Sequence, residues 1–310
     1  MMLIEHFKKY PRLQLLDLFK FLHQSSFGCE HLLADASAAV EYIRKEAAAC
    51  RARQGENPLL ADGVYPGENL ELLDGDFCRV HLDFIKNGLD AETLGKLFFL
   101  SAKPVENGRE LLEEKLSVLL KLISEGNLPF SLAEAEREIE KWRNEGFPAR
   151  HHSEMFREHY TPAYRVIKKE YALFLPLFLE IDKRLAQGLE KPQRVDGDTA
   201  SGDGADGPQG TSLLLAIEGG SASGKTTLSG LLEAVYGATV FHMDDFFLPP
   251  AMRTPERLSQ PGGNVHWERV KDEVLQPLTQ GKPLEYGVFN CGVMAVDRIC
   301  RERPRGGVIV

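Results

Sequence analysis

Leu213-Leu214-Leu215-Ala216-Ile217-Glu218-Gly219-Gly220-Ser221-Ala222-Ser223-Gly224-Lys225-Thr226 is the stretch whose reading decides the fold. Leu213 to Ile217 is a short apolar run of the kind buried in a parallel sheet. A Gly-rich turn follows, and the spacing from Lys225 to about Tyr236 is helical. A second apolar run, Thr239 to Met243, comes next. Strand, loop, helix and strand make the crossover unit that two parallel strands require. Further on, His266 to Leu278 reads as another helix, and Gly307 to Val310 as the start of another strand. Residues 212–310 are therefore expected to be an α/β domain on a parallel sheet, incomplete at Val310.

The turn has a chemistry of its own. Gly219 to Thr226 matches G-x-x-x-x-G-K-[ST] at every fixed position. Glycines let the backbone curl so that successive N–H groups point inward at phosphate oxygens. The helix opening at Lys225 adds its positive end to the same anion site. A Gly/Ser-rich turn can match the pattern by accident, but here it follows an apolar strand and opens a helix, the context the motif needs. Gly219, Gly220, Ser221, Ala222, Ser223, Gly224, Lys225, Thr226 and Thr227 are thus expected to hold the phosphates of ATP. Lys225 would reach the β- and γ-phosphates, and the Thr226 hydroxyl would coordinate Mg²⁺.

The second run ends in His242-Met243-Asp244-Asp245-Phe246-Phe247. Ligands of open α/β sheets bind beyond the carboxyl ends of the strands, so these two carboxylates are expected beside the phosphates. A carboxylate there can accept a proton from an attacking hydroxyl. The plainer alternative is that one aspartate caps the next segment and the other is solvated. Strand alternation would send the two side chains to opposite sides, so the two cannot both face the γ-phosphate equally.

GGSASGKTT followed by a strand ending MDDFF resembles the uridine kinase and phosphoribulokinase group of P-loop kinases, over about 99 residues. The resemblance implies a P-loop NTPase fold and ATP-dependent phosphorylation of a small hydroxyl compound, a nucleoside above all. By position it makes Asp244 the general base and an outer ligand of Mg²⁺. Residues 253–278 resemble the substrate-side segment of that group, with Trp267-Glu268 introducing a helix under the acceptor site. Two departures stand out. Phe247 takes the place of a tyrosine, and Gly262-Gly263-Asn264-Val265 replaces an Asp-His-Pro-Asp run that helps hold ribose. The group's domain continues past this strand into an acidic residue and an arginine-bearing lid, so the chain is expected to be a truncated reading that binds nucleotide better than it turns it over. Two other readings stand beside the kinase: an ATPase whose hydrolysis drives a conformational change, and a nucleotide-sensing module without chemistry.

Outward from this half, 188–211 is rich in Gly, Asp, Pro and Ser and is expected to be a flexible linker. Residues 1–187 are expected to be a mainly α-helical domain with a small β-hairpin. Leu15, Leu18, Phe19 and Leu22 recur at helical spacing, as do Leu112, Leu116, Leu119 and Ile123. Ser131 and Glu134 fit a capping box, and 162–187 reads as helix kinked at Pro176. Asp74-Gly75 between apolar-rich runs marks the hairpin, residues 70–82. Three polar clusters stand out: Gly28-Cys29-Glu30-His31, then Arg79 with His81, then His151-His152-Ser153 running to Tyr160, Tyr164 and Arg165. They read either as a metal or phosphate site gathering His31, His81 and His152, or as caps and core histidines.

The net charge of −9, with scattered Lys and Arg, argues against nucleic acid or an anionic membrane as the main partner. Five cysteines without paired spacing read as reduced thiols in a cytoplasmic protein. The longest apolar run, Tyr171 to Ile181, is broken by Pro176 and falls short of the roughly 20 residues a bilayer needs. The N-terminus lacks the pattern of a signal peptide.

Overall fold

The computed structural model describes residues 2–29, 36–52, 70–189, 213–302 and 308–310. It is a mixed α/β protein, mainly helical, with three small sheets among the described residues. The chain divides into two compact units, Met1–Lys183 and Arg184–Val310. The expected linker lies outside the described residues from 190 onward, as does His31. Among the described residues, no helix is long and apolar enough to cross a membrane.

In the second unit, a strand at Leu213–Leu214 pairs in parallel with one at Val308–Ile309. Thr239 bridges Ile309 from the opposite side, also in parallel. Phe241 N donates to the Val310 carbonyl (2.7 Å) and Leu215 N to the Ile309 carbonyl (2.7 Å). Residues 308–310 thus stand between 213–215 and 239–241, and the helix Lys225–Tyr236 is the crossover joining the two outer segments. The regular pairing is shorter than the runs Leu213–Ile217 and Thr239–Met243 suggest, because a parallel ladder extends only where a neighbour supplies partners. Met243–Phe246 is a tight 3₁₀ turn, not the end of a strand.

Helical structure runs from 267 to 279, as the spacing predicts, but Val270–Leu275 winds wide, with i→i+5 hydrogen bonds such as Gln276 N to Lys271 O. Pro277, which has no N–H and crowds the preceding turn, accounts for the widening. An antiparallel hairpin, Leu284–Asn290 with Ala295–Glu302, was not foreseen. It completes the core of this unit: Phe241, Phe246, Val274, Leu284, Tyr286 and Ile309 pack together, with Cys300 of the second hairpin strand against them.

In the first unit, Leu18, Phe19 and Leu22 of the helix Leu15–Phe27 are buried, as are Leu112, Leu116, Leu119 and Ile123 of Gly108–Ser124. Ser131 caps Leu132–Asn144 by accepting from Glu134 N (3.4 Å), and Trp142 of that helix stacks on Phe19. The hairpin forms with Glu71 opposite Arg79. Two expectations for 162–187 are corrected. Tyr164–Lys168 is a strand pairing antiparallel with Phe77–His81. Pro176 does not kink a helix but sits in the first turn of Leu175–Leu189, where its missing N–H has no intrahelical partner to lose.

Because strand side chains alternate, Glu71, Arg79, His81 and Tyr164 share one face of this sheet, and there they build a buried polar network. Arg79 donates from Nη1 to Glu71 (2.9 Å) and from Nε and Nη2 to Gln24 Oε1 (2.9 and 2.8 Å). The other Glu71 oxygen takes His6 Nδ1–H (2.9 Å). Asp17, fully buried, accepts from Gln14 N, Ser153 N and Ser153 Oγ (2.8, 2.9 and 2.6 Å) and from His152 Nδ1 (3.0 Å). The Tyr164 hydroxyl meets His152 Nε2 at 2.6 Å. Asp17 therefore fixes the tautomer of His152, and His152 orients Tyr164. Burial pushes His152 down to about 4, against the pull of Asp17 in the opposite direction.

The sign of the pH dependence follows. His152 ionises less readily in the folded chain than in the unfolded one, so stability is full above the ordinary imidazole range and is lost as pH falls from about 6.5 toward 4. Asp17, also held below its ordinary value by its donors despite burial, adds a loss at still lower pH. The expected cost for His152 between pH 7 and pH 5 is on the order of 2 kcal/mol, or roughly 4–8 °C in Tm for a unit of this size. Calorimetric scans should show this drop, and His152→Gln should flatten it. A Tm that does not fall on acidification would contradict the neutral, buried imidazole.

Candidate functional site

The Gly-rich loop and the aspartate turn leave the carboxyl ends of 213–215 and 239–241. Since both segments run parallel to 308–310, the two emerge at one edge of the sheet, the edge at which such sheets bind ligands. The loop curls through Ala222 and Gly224, both with positive φ (58° and 88°). Leu228 N donates to Gly224 O (2.9 Å), the first bond of the helix. The N–H groups of Lys225, Thr226 and Thr227 precede it and are free for an anion. Ser221 to Gly224, Thr226 and Thr227 are exposed. Lys225 Nζ folds back onto the loop and donates to the carbonyls of Gly219 (2.8 Å) and Gly220 (2.7 Å). Its charge is thereby held at the mouth of the curl.

Asp244 is exposed and Asp245 half-buried. The sequence argument from strand alternation does not apply, because both lie in the 3₁₀ turn Met243–Phe246, where successive side chains stand about 120° apart. The turn still separates them. Asp245 lies toward the unforeseen hairpin: burial first, then Cys300 and the charge of Asp245, hold the Tyr286 hydroxyl well above its usual range. Phe246 points into the core and is completely buried.

The segment after the turn goes out and returns alongside it. Leu248 N donates to Asn264 O (3.0 Å), His266 N donates to Phe246 O (2.6 Å), and Phe247 bridges Val265. The return is pinned by Arg257, whose fork takes both Glu268 oxygens (2.9 and 2.8 Å) and the Val265 carbonyl (3.1 Å) while lying over Trp267. Glu268 also meets His266 Nδ1 (3.1 Å). The Gly262-Gly263 pair has a steric reason. A Cβ on Gly263 would stand 2.0 Å from the Arg257 carbonyl oxygen, so no other residue fits the turn as built.

Among the described residues the histidine clusters give no comparable site, and His31 lies outside them. His81 and His152 flank Tyr164 from two sides (ring centroids 6.0 and 5.9 Å apart from it), but both ring nitrogens of His152 are engaged inside the network. Among the described residues, no group of three or more His, Cys, Asp or Glu side chains is arranged to hold a metal ion. Sequence reasoning missed Arg257, Arg269 and Glu273 as organisers of the site. The one available signal was the helical i, i+4 spacing of Arg269 and Glu273.

Gly263→Ala should destabilise the second unit by about 1–3 kcal/mol, read by chemical denaturation. Gly230→Ala, in the interior of the Lys225–Tyr236 helix with open space around it, should instead stabilise it by about 0.5–1 kcal/mol. Equal effects at the two positions would contradict the turn described here. Comparison with protein-family models, curated proteins and solved structures finds no match to this chain.

Proposed function

We propose that residues 213–310 bind ATP with Mg²⁺ and transfer its γ-phosphoryl group to a hydroxyl of a small molecule, a nucleoside or a compound like it. The fold inferred for this unit is the P-loop NTPase fold. The observation that carries the reading is the complete motif Gly219–Thr226 opening a helix of 12 residues at the same sheet edge as Asp244. The resemblance to uridine kinases adds to it, as do the parallel segments on both sides of 308–310.

The residues present fit the groups this reading requires. The free N–H groups of Lys225, Thr226 and Thr227, with the positive end of the helix, suit phosphate oxygens. Lys225 would exchange its two loop carbonyls for the β- and γ-phosphates, and the exposed Thr226 hydroxyl suits Mg²⁺, with Asp244 as an outer ligand. Magnesium held by these residues would supply positive charge against that developing during transfer. Asp244 takes the proton of the acceptor hydroxyl on a carboxylate oxygen as the acceptor oxygen bonds to the γ-phosphorus and the bond to the β–γ bridging oxygen breaks, releasing ADP. The segment 253–268, pinned by Arg257 and Glu268, would form the acceptor side. ATP and reduced thiols coexist in the cytosol, and we place the chemistry there.

Calorimetry with Mg·ATP tests binding. Lys225→Ala should weaken it by about 10- to 100-fold, the value of a charge-assisted contact, with the fold intact by circular dichroism. Unchanged affinity would overturn the assignment. Steady-state kinetics with uridine and related ribonucleosides as acceptor probes tests the chemistry. Asp244→Asn should cut kcat by about 10²–10⁴-fold with little change in ATP affinity, and Asp245→Asn should cost less. ATP consumption that ignores every added acceptor would favour a hydrolase instead.

A further inference from the structure

The proposed reaction leaves unexplained an ion pair placed directly behind its carboxylates. Across the start of the wide part of the 267–279 helix, Arg269 Nε donates to Glu273 Oε1 (2.7 Å) and Nη2 donates to Glu273 Oε2 (2.8 Å). The same Nη2 donates to the Gly287 carbonyl (2.5 Å), and Gly287 N donates back to Glu273 Oε2 (2.9 Å). Strand Leu284–Asn290 pairs only with Ala295–Glu302 among the described residues. The ion pair therefore satisfies a peptide group that would otherwise need a further strand or water. Gly287 is matched to this role: a Cβ there would stand 2.7 Å from Arg269 Nη2 and 2.5 Å from a Val296 methyl.

The pair also reaches the aspartate turn. The Arg269 guanidinium lies over the Phe246 ring at 5.1 Å, and Nη1 approaches the Asp245 carbonyl at 3.5 Å. Burial works to raise the pKa of Glu273, but the Arg269 fork and the Gly287 N–H outweigh it and hold the carboxyl below its ordinary range. Both partners are thus charged, fork to fork, at a point touching three elements. A wide turn of this kind often marks a functional position in a helix.

A half-buried ion pair of this kind adds little stability over an apolar pair of similar volume, and what it can supply is geometry. We propose that Arg269 and Glu273 are positioning residues for phosphoryl transfer, clamping the Met243–Phe246 turn to the hairpin and so fixing where Asp244 stands at the sheet edge. This rests on the reading of Asp244 as general base.

The test uses the whole chain and the double variant Arg269→Met/Glu273→Met, which replaces the pair by apolar side chains, alongside Glu273→Gln. Mg·ATP affinity, Tm, and kcat and KM with ribonucleoside acceptors are measured for each. The double variant should keep a Tm near that of the parent and unchanged ATP affinity, yet lose about 10- to 100-fold in kcat, the scale of a small misplacement of a reacting group. Glu273→Gln should lose less. If kcat recovers whenever Tm does, or if KM for ATP rises while kcat holds, the pair is structural only and the proposal fails. Should the double variant not fold, a Glu273→Gln chain with parental kcat would overturn the proposal, and one with reduced kcat and parental ATP affinity would uphold it. A parent chain that turns over ATP with neither water nor any ribonucleoside would instead remove the proposed function itself, and the positioning role with it.

Discussion

The second unit depends on three residues that hydrogen-bond on both sides. Val308 to Val310 accept Thr239, Leu215 and Phe241 amides and return Val310 N to the Thr239 carbonyl (2.9 Å). Without that strip the segments 213–215 and 239–241 share no partner, and the loops that follow them have no common edge. The strip also sends Ile309 into the core beside Phe241 and Phe246. The same three residues therefore align the Gly219–Thr226 loop with the Met243–Phe246 turn and anchor the turn to the hydrophobic cluster. Local sequence chemistry supplies the loop and the turn, and tertiary pairing brings them to one place.

The two units handle buried charge differently. In the first, Arg79 is almost wholly enclosed and belongs to a buried network with Glu71, Gln24 and His6 on one side of Tyr164 and with His152 and Asp17 on the other. Such a network specifies one packing of helix on sheet, and breaking any member leaves the others unpaired at high cost. In the second, the ion pairs Arg257–Glu268 and Arg269–Glu273 sit nearer the surface and tie loops to helix. Polar groups left over in the first unit are used for cohesion, whereas those in the second pin the segment 253–268 and the hairpin beside the Met243–Phe246 turn.

Where a residue's role is set by its immediate neighbours, the sequence was enough. The G-x-x-x-x-G-K-[ST] loop opens a helix at Lys225, Leu112 to Ile123 line one buried stripe, and Asp74-Gly75 turns a hairpin. Readings that depended on a distant partner went astray. Tyr164–Lys168 shows no alternation, adjoins a long helical run, and is revealed only by its pairing with Phe77–His81. The hairpin 284–302 was invisible for the opposite reason: Ala295–Glu302 is exposed along nearly its whole length and so shows no apolar alternation. Asp244 and Asp245 were separated by an argument from strands, whereas the 3₁₀ turn separates them by a different geometry. Nothing in the local sequence could show that Arg269 reaches Gly287 and Phe246 at once.

The central claim is that the Gly219–Thr227 loop and the Met243–Phe246 turn form one site for Mg·ATP. Backbone amide resonances of the whole chain, followed by NMR as Mg·ATP is added and compared with Mg²⁺ alone, test it most directly. The account predicts the largest shifts at Gly219 to Thr227, with smaller ones at Met243 to Phe246, and silence across residues 70–168. Shifts absent from the loop, or gathered around Arg79 and His152, would contradict it.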